Sequence, residues 1–257
     1  MKLRYFLFLM IIIFCIGCAK QEADTGKPGT ENEDTMIETI ADTHSIPITQ
    51  VEIVKVVDPP IYNRTFYVDQ DISMLEFFKF TAISIEGLGK LSQLETIKFV
   101  NSLAIEDFSF LSEIPNLKRL FIIGLLNIDW NFLENLPNLE VLHIERYLFQ
   151  PEITIDLKNN IHLEYIGFTG GFLETFPVLV NMPETLKYIN LEINKIGLLP
   201  QNVGDYNVTI FMNYNSLEIN DSLPDNVTFN SADEALEDKY HVPYYPKITV
   251  SLSDVQD

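Results

Sequence analysis

Beyond residue 18 the chain has no cysteine; its only two, Cys15 and Cys18, fall in the first eighteen of 257 residues. That excludes a disulfide framework downstream, and with it thiol-based metal binding or catalysis. Histidine is scarce, with four in all: His44, His143, His162 and His241. Basic residues are few, 17 Lys and Arg against 37 Asp and Glu, for a net charge of −20. Nucleic acid is excluded as a partner, because its phosphates need a basic footprint. Acidity of this size keeps an exported protein soluble and is compatible with a basic partner. Long hydrophobic runs are missing too. Apart from Tyr5–Ile16 no stretch approaches the ~20 apolar residues that span a bilayer. There is no nucleophile elbow, phosphate loop or zinc-ligand spacing, and Gly170-Gly171 reads as a turn. The expectation is a chain without catalytic role, cofactor or metal. His143 and Glu145, side by side on one strand face, are the only suggestive polar pair.

What the chain does have begins at its start. Lys2 and Arg4 precede the apolar run Tyr5–Ile16, which is 12 residues long and too short to span a membrane. It ends in Cys15-Ile16-Gly17-Cys18, which resembles a bacterial lipobox, although Cys15 and Ile16 depart from the usual residues. The resemblance implies a signal peptide over 1–17 and lipid on Cys18. Acyl chains there would hold the rest at a membrane surface, on the outer face or in the periplasm of a bacterial envelope. Residues 18–47 continue as an acidic tether, too poor in apolar residues to fold. Its mean reach is about 25–30 Å.

From residue 48 to 230 the chain repeats itself. L-x-x-L-x-L phrases begin at Leu75, Leu94, Leu117, Leu139, Leu163 and Leu186, with a weaker one at Asn207 and a possible one at Val51. The period of about 23 residues is that of a solenoid. Phe108–Ile122 and Trp130–Ile144 align without a gap at an offset of 22 residues. In each phrase the last two apolar positions alternate, as in a short strand with one buried face. Leu117, Leu120 and Ile122, Leu139, Leu142 and Ile144, and Leu186, Ile189 and Leu191 are the clearest sets. Apolar residues three apart between the strands predict 3-10 turns or short helices. About seven repeats of ~23 residues would build a curved parallel sheet, strands ~4.8 Å apart.

Leu186-Lys-Tyr-Ile189-Asn-Leu191-Glu-Ile-Asn194-Lys-Ile196 fits the leucine-rich-repeat template at every position, and the units from Leu88 to Leu142 resemble the 22-residue internalin type. The resemblance implies an α/β leucine-rich-repeat solenoid, sheet on the concave side, and asparagines at Asn194 and Asn215 bonding backbone in the turns. Ile83, Ser102, Leu125, Tyr147 and Gly171 stand where other asparagines would be, so irregular turns are expected, above all near 147–156 and 170–180. Ile48–Tyr67 alternates like a strand and is expected to start the sheet. Residues 231–257, with the aromatic stretch Tyr240–Leu252, are expected to cap the last unit or to form a free binding tail.

Similar bacterial repeat proteins act in adhesion or host contact, so the resemblance implies binding of a protein or glycan partner. A structural or assembly role in the periplasm is the alternative. Counting the register outward from the core gives a candidate binding face of Phe77, Lys79, Arg119, Phe121, Ile123, Val141, His143, Glu145, Tyr165, Tyr188, Asn190 and Phe211, joined by Glu192, Thr209 and Asn213. Exposed aromatics in a row are costly in water and mark contact surfaces.

Overall fold

The computed structural model describes residues 50–251, apart from 53–55, 59–61, 65–66, 70, 79–84, 103–104, 106, 125–127, 148–151, 219–222 and 244–248. The signal peptide, Cys18, the tether and Lys79 lie outside the described residues.

In chain order the strands are β1 Gln50–Glu52, β2 Val56–Asp58, β3 Tyr62–Arg64, β4 Tyr67–Asp69, β5 Met74–Phe78, β6 Thr96–Val100, β7 Arg119–Ile123 and β8 Val141–Glu145. They continue with β9 Thr154–Asp156, β10 Tyr165–Thr169, β11 Val178–Val180, β12 Tyr188–Asn190, β13 Thr209–Phe211, β14 Val227–Thr228 and β15 Thr249–Ser251. Nine of them form one sheet in the order β14-β13-β12-β10-β8-β7-β6-β5-β15, parallel throughout. Parallel neighbours need a crossover between them. Here four of the crossovers carry 3-10 turns, at Leu88–Lys90, Ser109–Glu113, Trp130–Asn135 and Val203–Asp205. The two regions of uneven spacing fold instead into β9 and β11, a second, two-stranded parallel sheet.

The core is a set of apolar columns running across the strands. Leu75, Ile97, Leu120, Leu142, Ile166, Ile189, Ile210 and Val227 are in register, and so are Phe77, Phe99, Ile122, Ile144 and Phe168. All are buried. Leu117, Leu139 and Leu186, first apolar positions of their phrases, are buried with them. Each unit leaves its strand through one left-handed residue: Asn101, Gly124, Arg146, Gly170, Ile193 and Tyr214, all with φ between 53° and 78°. The bend turns the chain from the sheet towards the next crossover while the backbone N–H still donates to the next strand's exit, as in Gly124 N to Glu145 O, 2.8 Å. Only two of the six are glycine, the residue that tolerates this conformation without cost.

Asparagines tie the turns. Asn194 Nδ2 donates to Phe168 O, Leu191 O and Glu192 O, and its Oδ1 accepts from Tyr147 Oη and Leu173 N. Asn215 repeats the pattern towards Leu191 O, Met212 O and Ile196 N. Where the column lacks asparagine other groups serve. Ser102 Oγ donates to Phe77 O, and the Tyr147 ring fills the space over Gly171, where a Cβ would come within 2.2 Å of it.

Three expectations need correcting. The described strands within Ile48–Tyr67 do not start the sheet: β1 pairs antiparallel with β4, and β2 with β3. The C-terminal residues do not cap the last unit. Of those described, 232–243 lie over the sheet's open face, and Thr249–Ser251 form β15, which pairs with β5 at the opposite edge. The third concerns Phe77, which faces the core, is fully buried and stacks on Phe99 at 5.1 Å. Its phrase begins at Ile72 and not at Leu75, since Leu75 is in register with Ile97. Shifting a strand by an odd number of residues exchanges its two faces, so Glu76 takes the outward place.

Candidate functional site on the open face

The outward positions form columns as regular as the core's. Thr96, Arg119, Val141, Tyr165, Tyr188 and Thr209 are in one, and Glu76, Lys98, Phe121, His143, Gly167, Asn190 and Phe211 in the next. Val100, Ile123, Glu145 and Thr169 make a third at the strand exits. The described face residues read from the sequence that lie on these strands, Phe77 apart, therefore share this side. Most of the apolar ones are closed off from water. Phe121, Val141, Tyr165 and Phe211 are 1–2% exposed, and His143, Asn190 and Ile123 are buried as well.

What covers them is the chain's own segment 232–243. It starts in one turn of helix, α1 Ala232–Ala235, passes a 3-10 turn at Asp238–Tyr240 and continues to Pro243. Tyr240 is the anchor. Its ring stacks on Tyr165 at 5.6 Å and meets Tyr188 edge-on at 5.2 Å, in a cluster with Phe121 and Val141. Such aromatic geometries add to the burial itself. Beside it Lys239 Nζ, 4.8 Å from the Tyr240 ring centre, donates to Glu164 Oε2 at 2.6 Å, where the Tyr240 hydroxyl also donates at 2.7 Å. Lys187 adds a third contact at 3.2 Å. Burial alone would raise the Glu164 carboxyl, but the hydrogen bonds from Lys239, Tyr240 and Lys187 outweigh it and hold the group at about 2.

Two further contacts engage backbone. The Glu192 carboxylate accepts from Ala232 N at 3.3–3.4 Å, and burial raises its pKa. Lys98 Nζ, paired with Glu76 at 2.8 Å, donates to Pro243 O at 2.9 Å. Glu76 and Lys98 are a nearly buried ion pair, each side chain 10% exposed, and the peptide carbonyl satisfies another of the ammonium's donors.

His143 sits at the centre. Its Nδ1 bonds Tyr165 Oη at 2.9 Å and its Nε2 bonds Thr169 Oγ1 at 3.2 Å. Burial, and secondarily His241 nearby, lower its pKa to about 4, so the ring is neutral. Gly167 makes the pairing possible: a Cβ there would lie 2.6 Å from Tyr165 Oη and 2.8 Å from His143 Nδ1. Glu145 does not join His143 but pairs with exposed Arg146 at 3.0 Å. Both ring nitrogens of His143 are thus engaged in a hydrogen-bonded floor under the segment, and Glu145 is turned away from it. Among the described residues no group of three or more His, Cys, Asp or Glu side chains could hold a metal.

Sequence reading missed Glu164, Lys239 and Tyr240 as parts of this face. Glu164 precedes the strand, and the tail's aromatics were placed at the wrong end of the solenoid. The exposed acids of 233–238 carried a signal, since a tail packed over an apolar sheet end would not place carboxylates at four of six positions.

Register, crossovers and asparagine-tied turns together define a leucine-rich-repeat solenoid. Neither a family model nor a curated protein matches the chain. Among solved structures it is similar to an internalin from Listeria monocytogenes, with 17% identity and a TM-score of 0.33. The match covers 62% of this chain and 66% of that one, so the chain spans just under two thirds of that protein's length. The repeat assignment rests on the strand register and not on this likeness.

Proposed function

We propose that the protein is a lipid-anchored component of a bacterial cell envelope whose repeat sheet holds a protein partner on its open face, in adhesion or host contact. The observation that supports this most is that the face already grips a polypeptide. Tyr165 and Tyr188 take an aromatic side chain, Glu164 takes its neighbour's ammonium, and Glu192 and Lys98 take a peptide N–H and a peptide carbonyl. Recognition of backbone groups suits a protein better than a glycan. Aromatic side chains with a few charges are the usual make-up of binding hot spots. No helix among the described residues is long and apolar enough to cross a membrane, and acyl chains on Cys18 would supply attachment.

Two experiments test the reading. Cells fed labelled palmitate should label the wild-type protein and not Cys18→Ala; equal labelling contradicts the anchor. A photo-crosslinking residue at position 188, on the open face, should give a protein adduct on intact cells, and one at position 178, on β11, should not. Adducts at neither position, or equally at both, contradict the binding face. Protease treatment of intact cells separates host contact, which needs the solenoid outside, from a periplasmic assembly role.

A further inference from the structure

Segment 232–243 covers the open face without packing on it as a core does. Ala232 and Tyr240 are its only buried residues. Its local hydrogen bonds close within itself, as in Leu236 N to Ala232 O and Tyr240 N to Glu237 O. Where it meets the sheet a cleft of about 870 Å³ opens to solvent, bordered by His143, Glu145, Glu192, Asp233 and His241 among others. Clefts of this size are typical of ligand sites. His241 Nε2 is buried there with no hydrogen-bond partner among the described residues.

The segment also brings acid against acid at one point of its seat. Asp233, Glu234, Glu237 and Asp238 are exposed acids, on a sheet face where Glu145, Glu164 and Glu192 stand beside Lys98, Arg119 and Lys187. The Asp233 charge disfavours ionisation of Glu192, adding to the effect of burial. Within the segment only Lys239 offers the opposite sign, and it is the residue that Glu164 holds.

We propose that residues 232–243 are an intramolecular occupant of a peptide-binding groove. The partner that replaces them is a polypeptide segment with a cationic side chain next to an aromatic one and fewer acids around the pair. The proposal rests on the protein-binding reading above and names the partner's chemistry. The aromatic enters between Tyr165 and Tyr188, the cation meets Glu164, and Glu192 and Lys98 hold backbone on either side. A basic competitor is steered to a chain of charge −20 and released from the self-repulsion of the present occupant.

The test uses the full chain carrying Lys239→Glu and Tyr240→Ala, with folding checked by circular dichroism. Amide exchange over 232–243 should rise at least ten-fold in this variant. Two fluorescent peptides of residues 232–243 serve as probes. One has the native sequence; in the other Asp233, Glu234, Glu237 and Asp238 are replaced by Asn and Gln. The native peptide should bind the variant at least ten-fold more tightly than it binds wild type, and the neutralised peptide tighter by a further ten-fold. A peptide with Lys239→Glu and Tyr240→Ala should not bind. Unchanged exchange, binding of no peptide to the folded variant, or equal binding of the native and neutralised peptides overturns the proposal. The broader reading has its separate test at position 188, so either can fail without the other.

Discussion

Both faces of the nine-stranded sheet bury side chains, the inner one throughout and the outer one in part, and they do so by different means. On the inner face Leu75, Ile97, Leu120, Leu142, Ile166 and Ile189 show no exposure at all. Each meets its counterpart in the next repeat, so removing one opens a hole that two neighbours share. On the outer face Phe121, Val141 and Tyr165 are 1% exposed, but they owe it to a segment fastened at a few points beside a solvent-open cleft. Burial alone therefore does not tell a core from an occupied binding face. What tells them apart is whether the cover interdigitates or merely lies across.

The largest effect expected is on the inner face. Leu142→Ala should cost about 2–5 kcal/mol in urea unfolding, the range for a leucine deleted from a core that cannot collapse. A loss below about 1 kcal/mol would break the contrast from that side.

Acid should act next, and through the outer face. The folded-state pKa of His143 is about 4 against an ordinary 6.5, so the unfolded chain binds its proton first as pH falls. Stability from this group is whole above 6.5 and is lost as pH drops towards 4, by about 3 kcal/mol in all at ~1.4 kcal/mol per unit. Glu164, held at about 2 against 4.5, gives a second window, its contribution lost between 4.5 and 2. In unfolding curves taken across this range, His143→Gln should remove the upper window and keep the lower. A slope between 6.5 and 4.5 that survives the substitution would sharpen the question of which groups carry it.

Tyr240→Ala should cost less, about 1–2 kcal/mol. The segment can detach locally and cap the loss at its own docking free energy, short of the 3–5 kcal/mol typical for a core aromatic. Thermal unfolding measures this, and a core-sized loss would merge the two faces. The smallest effect is a gain. Ile193 is β-branched, sits at φ 59° and is 56% exposed, so Ile193→Asn should stabilise by about 1 kcal/mol by relieving left-handed strain, read as a higher melting temperature.

Most of the inner face was legible because it follows from a period. Leu117-x-x-Leu120-x-Ile122 states its own register, and its copies state theirs. At Leu75 the phrase was ambiguous: Ile72, Leu75, Phe78 and Phe80 offer two starts three residues apart, and nothing local decides between them. The pairing with Ile97 decides it, and pairing is a long-range fact. The outer face was legible as a set of positions, since it is the complement of the core. Its cover was not. Tyr240 lies 75 residues along the chain from Tyr165 and outside the repeat, so no periodicity links them. Tail residues rich in aromatics announce that they will pack somewhere, without saying on which surface. Residues 147–156 and 170–180 were readable as departures from the repeat, but not as the paired strands β9 and β11.

The distinction between a packed core and an occupied face comes down to how segment 232–243 opens. Native-state amide exchange of the wild-type full chain, followed with increasing urea, measures it at Leu236, Tyr240 and His241 against Leu142 and Ile166 in the sheet. The strap amides are predicted to exchange by a local opening of lower free energy, insensitive to low urea, while the sheet amides exchange only with global unfolding. Strap and sheet amides that share one free energy and one urea dependence would show the segment to be part of the core, and would contradict this account.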